Sequence, residues 1–313
     1  MSSLRDRYCF TGTESAASPR RTLRTAISCV GTGLHSGVNV SLKLVPAPSG
    51  TGIVFRRTDL GVNIPALFDH VNDTRLCTVI TSGEARVGTI EHLMAAVAAS
   101  QIDDLLVEVD APELPVFDGS SAPFMYLIES AGIVEHAGFR ETLEVLRAVR
   151  VEHNGAFAEL RPHHLGGTGF ELSLAIEFAA SAIGAQAFNI SLPPESFSRA
   201  LAAARTFTMA SEIEALRKAG LAKGGSLANA IVVDGAKVMN PEGLRWTDEF
   251  VRHKMLDVVG DLALAGAPIS GRFIGSRTGH ALNNQLLRVL FADQANYRLI
   301  RESVGGMLQL SAA

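Results

Sequence analysis

Three short segments of this chain hold residue types at spacings that suit metal-assisted hydrolysis. In Thr89-Ile90-Glu91-His92-Leu93 a carboxyl and an imidazole are neighbours at the start of a helical pattern. Adjacent side chains on a helix point about 100° apart, so the two reach different points of one site. An imidazole that holds an ion, beside a carboxyl that takes a proton from water, is what such hydrolysis needs. A plainer reading also stands, because an acid in the first turn complements the helix dipole. In Arg252-His253-Lys254-Met255-Leu256-Asp257, the pair His253 and Asp257 stacks on one helical face, with Asp261 one turn beyond. One helix can thereby supply two metal ligands, although an ordinary solvated His–Asp pair has the same spacing. A histidine from elsewhere brings the count to His, His, Asp. Three protein ligands with an open fourth position mark a catalytic zinc rather than a structural one. The third segment, residues 276–284, places His280 after a glycine at the start of the last helix. There it either faces a cleft or simply decorates a helix end.

The elements that must position these residues alternate strand and helix patterns without a regular rhythm. Residues 38–44 alternate apolar and polar, the mark of a half-buried strand, and residues 53–56, 77–81 and 105–109 read as further strands. From Thr89, taken as N-cap, Ile90, Leu93, Met94 and Val97 fall on one helical face. Residues 124–130 read as a helix stopped by Gly132, and the mixed charges of 135–144 mark a domain boundary. Beyond it, strands are expected near 143–151, 157–161, 170–178 and 230–233. Helices are expected near 212–219, 248–264 and 280–292, the last closing the chain. That order favours α+β over a doubly wound sheet. Gly31-Thr32-Gly33 lacks the rest of a phosphate-binding fingerprint and reads as turn geometry.

Composition narrows the function. The 313 residues suit two domains or one large one. With 47% hydrophobic and 19% charged side chains and a mean hydropathy of +0.21, the chain has ample core material. No apolar run reaches the roughly 18 residues that a bilayer span needs. The net charge is −4, and the cluster Arg20, Arg21 and Arg24 is too short for a nucleic-acid stripe. The three cysteines, Cys9, Cys29 and Cys77, are odd in number and scattered, which argues for a reducing compartment. Residues 1–20 have no apolar signal core and read as a flexible arm. The expectation is a cytoplasmic enzyme with a small-molecule substrate, no nucleic acid, no membrane segment and no obligate protein partner.

Eight stretches, taken in order, make a specific conjunction. They are Gly31-Thr-Gly-Leu-His35-Ser-Gly, Asp73-Thr-Arg-Leu-Cys77-Thr, Thr89-Ile-Glu-His92-Leu and Ala111-Pro-Glu-Leu-Pro-Val-Phe-Asp118-Gly-Ser. Ala204-Arg-Thr206-Phe207, Gly224-Gly-Ser226, Asp248-Glu-Phe-Val-Arg-His253-Lys-Met-Leu-Asp257 and Ser276-Arg-Thr-Gly-His280-Ala-Leu-Asn-Asn follow. From about residue 24 to about residue 290 the chain resembles the UDP-3-O-acyl-N-acetylglucosamine deacetylase family, the zinc amidases of lipid A synthesis. The resemblance implies two β-α-α-β two-layer sandwich domains, packed helix layer to helix layer with the active site at the interface. Their spans would be 21–140 and 141–313, after an arm over 1–20.

The resemblance also implies a Zn²⁺ ion held by His92, His253 and Asp257. Glu91 would be the general base and His280 the general acid, held by Asp261, while Thr206 would help to stabilise the oxyanion. Lys254 would bind the anionic part of the substrate and Phe207 would line its site, with the lining departing from the family pattern at Thr208 and Met209. The reaction implied is hydrolysis of the 2-acetamido group of UDP-3-O-(3-hydroxyacyl)-N-acetylglucosamine, with release of acetate. A zinc deacetylase of another acylated amino sugar, or a silent ligand-binding paralogue, are the alternatives. Glu91 and His280 speak against silence, since binding alone needs neither base nor acid. Cys77 is either near the metal, able to join a second, inhibitory zinc, or a buried strand cysteine. His35 is structural or substrate-side. An acyl passage is expected over 206–233, where Ile213 and Leu216 share a helical face opposite the small Gly225, Ser226, Ala228 and Ala230.

Overall fold

The computed structural model describes residues 18–164, 167–192 and 194–301. Cys9 and most of the expected arm lie outside the described residues. The last two residues assigned to that arm, Pro19 and Arg20, are already in a strand.

The chain begins with β1 (Pro19–Leu23), β2 (Ile27–Thr32), β3 (Asn39–Pro46), β4 (Ile53–Arg57) and β5 (Val62–Pro65). Three short strands, β6 (Val71–Asp73), β7 (Val79–Ser82) and β8 (Ala85–Val87), lead into α1 (Glu91–Ala99). β9 (Leu105–Val109) and α2 (Ala122–Ala131) follow. A five-stranded sheet runs β2-β3-β9-β4-β5. The alternation of β3 decides its orientation: Val40, Leu42 and Leu44 are buried while Asn39, Ser41 and Lys43 face out. β9 pairs antiparallel with β3 and parallel with β4, so it sits at the middle of the sheet. α2 begins with Pro123 in its first turn and ends at Gly132, whose positive φ of 72° suits a helix stop.

β10 (Ile133–Phe139) ends the first part, and the second opens with β11 (Glu141–Val145), β12 (Val149–His153), β13 (Ala156–Arg161), β14 (Phe170–Glu177) and β15 (Ala185–Ser191). Next come α3 (Pro194–Ala200), β16 (Phe207–Met209), α4 (Ala210–Lys218), β17 (Ile231–Asp234) and β18 (Lys237–Val238). α5 (Glu249–Leu262), β19 (Ile269–Ser276), α6 (His280–Phe291) and β20 (Tyr297–Arg301) complete it. A seven-stranded sheet runs β12-β13-β19-β11-β20, with β14 also on β19 and β15 on β14. Residues 135–144, read from their mixed charges as a domain boundary, lie largely in strands: β10 pairs with β1, and β11 pairs with both β19 and β20. The last helix does not close the described chain either, because β20 returns to the sheet edge.

The architecture is mixed α and β, as expected from the irregular alternation. One apolar core runs through both parts of the chain. At its centre α1 lies against α5, α2 packs on α1, and α5 and α6 pack on strands of the larger sheet. Twelve residues of α5 are buried, Glu249, His253, Asp257 and Asp261 among them. The approach of α1 to α5 depends on Gly260, where a Cβ atom would collide with the backbone carbonyl of Glu91.

Gly260→Ala is therefore expected to destabilise the fold by about 1–3 kcal/mol through overpacking. Because the Cβ would meet backbone rather than a flexible side chain, the loss falls toward the upper end of that range and exceeds the roughly 1 kcal/mol gained in helix propensity. Urea unfolding measures it, and wild-type stability would mean that the helices part freely.

Candidate metal centre

The first ligand candidate comes from the start of α1. Thr89 was expected to cap this helix, but its φ is +55°, and its hydroxyl donates to Glu113 Oε1 at 3.1 Å instead. Ile90 occupies the cap position without a side-chain bond. A β-branched residue at positive φ stores strain, and here the strained residue stands just before Glu91 and His92. Arg277, at φ +51°, is another non-glycine residue at positive φ and lies three residues before His280. Both His92 and Glu91 are buried, and Ser121 Oγ, next to α2, donates to the His92 carbonyl at 2.7 Å.

α5 presents the others. His253 Nε2 lies 3.4 Å from Asp257 Oδ1, and His92 Nε2 lies 3.7 Å from the same oxygen. One ligand atom from each of the three residues falls within 4.8 Å of the others. His253 Nδ1 meets the Ala204 carbonyl at 3.0 Å, a contact that places the proton on Nδ1 and leaves the Nε2 lone pair facing the cluster. Asp257 Oδ2 accepts from Lys254 Nζ at 2.8 Å, whereas Oδ1 is buried with no hydrogen-bond partner. A buried carboxylate oxygen without a partner, between two imidazole nitrogens, fits a cation ligand.

The electrostatics agree with that chemistry. Burial, reinforced by His253, drives His92 down to about 3, and burial also lowers His253. Both rings are thus neutral, as ligands must be. Burial works against a charge on Asp257, but His253, Lys254 and the other histidines outweigh it and hold the carboxyl well below its usual range. Glu91 is pushed up to about 7 by burial, which Asp257 and Asp261 reinforce and His280 opposes. Burial also disfavours a charge on His280, yet Asp261 and then Glu91 and Asp257 raise it to about 9. Two groups held apart in this way are suited to be a base and an acid.

Hydrogen bonds hold these groups in place. Thr78 N donates to Glu91 Oε2 at 3.0 Å, and Thr78 Oγ1 donates to Asp261 Oδ1 at 2.5 Å. His280 Nδ1 meets Asp261 Oδ2 at 2.9 Å, and Asn283 Nδ2 donates to the same oxygen at 2.8 Å. Thr78, Glu113 and Asn283 were not singled out as site residues in the sequence. Asn283 carried a signal, since it follows His280 by one helical turn. Thr78 and Glu113 lie within stretches that carry the resemblance, but local pattern gave neither a role, because their partners are distant in the chain.

A cavity of about 180 Å³ brings together Glu91, His92, Thr206, Phe207, His253, Lys254, Asp257 and His280, with His35 and Cys77 also on its wall. Both ring nitrogens of His35 are buried without a partner. Cys77 is pushed up to about 12 by burial and by Glu91. Ile213, Leu216, Gly225, Ser226 and Ala230 do not line this cavity. Ile213 and Leu216 are half-buried on α4, Ser226 is exposed, and Ala230 is buried beside β17. Among the described residues, no helix is long and apolar enough to cross a membrane.

A buried His–His–Asp cluster, flanked by a raised carboxyl and an Asp-held imidazole, has the features of a metal-dependent hydrolase site. Comparison with known proteins narrows the class. The family described as UDP-3-O-acyl N-acetylglycosamine deacetylase matches residues 20–292, and the chain belongs to it. It is similar to a UDP-3-O-acyl-N-acetylglucosamine deacetylase of Myxococcus xanthus, 46% identical over 293 residues and 92% of each chain. One from Chromobacterium violaceum is 49% identical over 276 residues, covering 87% of this chain and 90% of the other. A third, from Neisseria meningitidis, is 46% identical over 285 residues, covering 89% and 92%.

Proposed function

We propose that the protein hydrolyses the 2-acetamido group of UDP-3-O-(3-hydroxyacyl)-N-acetylglucosamine, releasing acetate and the free amine in lipid A synthesis. The observation that carries the mechanism is the convergence of His92, His253 and Asp257 around an unpartnered carboxylate oxygen, next to Glu91 and His280. These three residues would hold Zn²⁺, which supplies a Lewis acid for the carbonyl and lowers the pKa of water. Glu91 accepts the proton of the attacking water. Thr206, on the cavity wall, steadies the developing oxyanion. His280, charged and oriented by Asp261, gives its proton to the departing amine. Lys254 pairs with Asp257 and offers its remaining N–H donors to the anionic part of the substrate. Acetate release from the UDP-linked acyl sugar, with and without a chelator, tests the reading. Release that a chelator leaves untouched overturns the metal role.

The packing of α1 against α5 supports two β-α-α-β sandwich domains, 21–140 and 141–313, facing each other through their helices. A nucleotide-linked substrate and the reduced state expected of the cysteines support a cytoplasmic site of action.

The acyl chain would run along Phe207 and the segment 206–233, between Ile213 and Leu216 and the small Gly225, Ser226 and Ala230. Each buried methylene is worth roughly 0.8 kcal/mol, so such a passage favours long chains. Ala230→Trp is expected to raise KM for a long-chain substrate at least about tenfold more than for a short-chain analogue, leaving zinc bound. Equal losses for both would indicate plain core packing.

Excess zinc is expected to inhibit the enzyme, and Cys77→Ala is expected to be inhibited at the same concentration. A thiol held protonated by burial and by Glu91 is a poor ligand. A shift of the inhibition curve to higher zinc would make Cys77 a ligand.

A further inference from the structure

We infer that Glu249 is a positioning residue for the metal centre: through Arg205 it fixes the carbonyl that orients His253. The inference rests on the reading of His253 as a metal ligand. Glu249 lies in the first turn of α5, one turn before His253, and is fully buried. Its Oε1 accepts from Arg205 N at 3.1 Å and Arg205 Nε at 2.9 Å. Its Oε2 accepts from Arg205 Nη2 at 3.1 Å and from the backbone N of Arg245 at 2.6 Å. The remaining guanidinium donors of Arg205 reach the Gly243 carbonyl and Glu242 Oε1, both at 2.7 Å.

Arg205 stands between Ala204, whose carbonyl meets His253 Nδ1, and Thr206 in the cavity wall. Arg245 Nη1 donates to the Ala203 carbonyl at 2.7 Å, and Thr206 N donates to the Gly119 carbonyl at 2.8 Å. The Ala203 and Ala204 carbonyls and the N–H groups of Arg205 and Thr206 are therefore all held. Arg245 also pairs with Asp118 at 2.9 Å, in the turn before α2 where Ser121 holds the His92 carbonyl. A buried ion pair that served stability alone would need only opposite charges. Here the carboxylate also accepts from two backbone N–H groups, and one of them, that of Arg205, shares its peptide with the Ala204 carbonyl that sets the His253 tautomer. If that carbonyl shifts, the ring gains both tautomers and its Nε2 lone pair leaves the cluster. Loss of such supporting contacts typically weakens metal binding about 10–100-fold.

The test compares wild type, E249Q and the paired replacement R205M/E249L, using Zn²⁺ competition with a chromogenic chelator. Imidazole ¹⁵N shifts of His253 are read on the metal-free protein. Replacing both members of a buried pair by apolar side chains often preserves stability, but the Arg205 and Arg245 N–H groups also lose an acceptor here, so urea unfolding of each variant separates folding from positioning. E249Q keeps the side-chain shape should the paired variant fail to fold. The expected result is zinc affinity about 10–100-fold weaker in each folded variant, with His253 in mixed tautomers. Wild-type affinity and a single Nδ1–H tautomer in either folded variant would overturn the inference. A His253→Ala protein that binds zinc as tightly as wild type would instead overturn the metal reading, and this inference with it.

Discussion

His253→Ala is expected to lose its zinc and with it essentially all deacetylation. The ring contributes one of three ligand atoms clustered around Asp257 Oδ1. Zinc bound to protein ligands at neutral pH is held by roughly 10–16 kcal/mol, so forfeiting about a third of that weakens binding on the order of 10³-fold. The substitution also leaves the Ala204 carbonyl without its donor and Asp257 without its strongest favourable neighbour. Metal analysis after dialysis, alongside acetate release, reads both consequences. His92→Ala and Asp257→Ala should behave alike, since each removes one ligand of the same cluster. Stoichiometric zinc in the dialysed His253 variant would sink the ligand assignment.

Glu91→Ala is expected to keep its zinc and lose about 10²–10⁴-fold in kcat, the usual worth of a positioned base. Glu91 must be deprotonated to accept a proton, so activity rises with pH through its value of about 7. His280 must be protonated to donate, so activity falls as pH climbs past about 9. The profile should therefore be a bell, and metal loading should move both limbs to lower pH, because a nearby cation favours the deprotonated forms. The two groups face each other, so the limbs report macroscopic values of the pair. Glu91→Ala should lose the acid limb and His280→Ala the alkaline one. An intact alkaline limb in His280→Ala would assign the proton donor elsewhere, and undiminished kcat in Glu91→Ala would remove it as the base.

Some of this protein was legible from local pattern alone. The alternation of residues 38–44 placed β3, because burial of every second side chain is set by one sheet face. The stacking of His253, Asp257 and Asp261 needed only the 3.6-residue period, and α5 holds all three buried on it. Other elements hid. β19, the strand that joins β11, β13 and β14, contains Gly271, Gly275 and Arg272, which are poor strand signals. Its glycines answer close packing: a Cβ at Gly275 would press on the Phe273 ring, and one at Gly271 on Val145. Thr89 read as a cap because its type suits one, but Glu113, beyond the next strand, claims its hydroxyl.

The sequence by itself determined which residue types stand where a helix can display them, and the resemblance it carries implied their roles. Only the tertiary structure decided how those residues are tuned. Asp261 reaches Thr78, 183 residues away in the chain, and His253 is oriented by a carbonyl 49 residues before it. Glu91 rises to about 7 because the packing of α1 on α5 removes it from water and brings Asp257 and Asp261 near. Helical and strand periods act over a few residues and can be read along the chain. Desolvation and charge–charge coupling depend on distances through space, and those exist only once the two sets of helices have met.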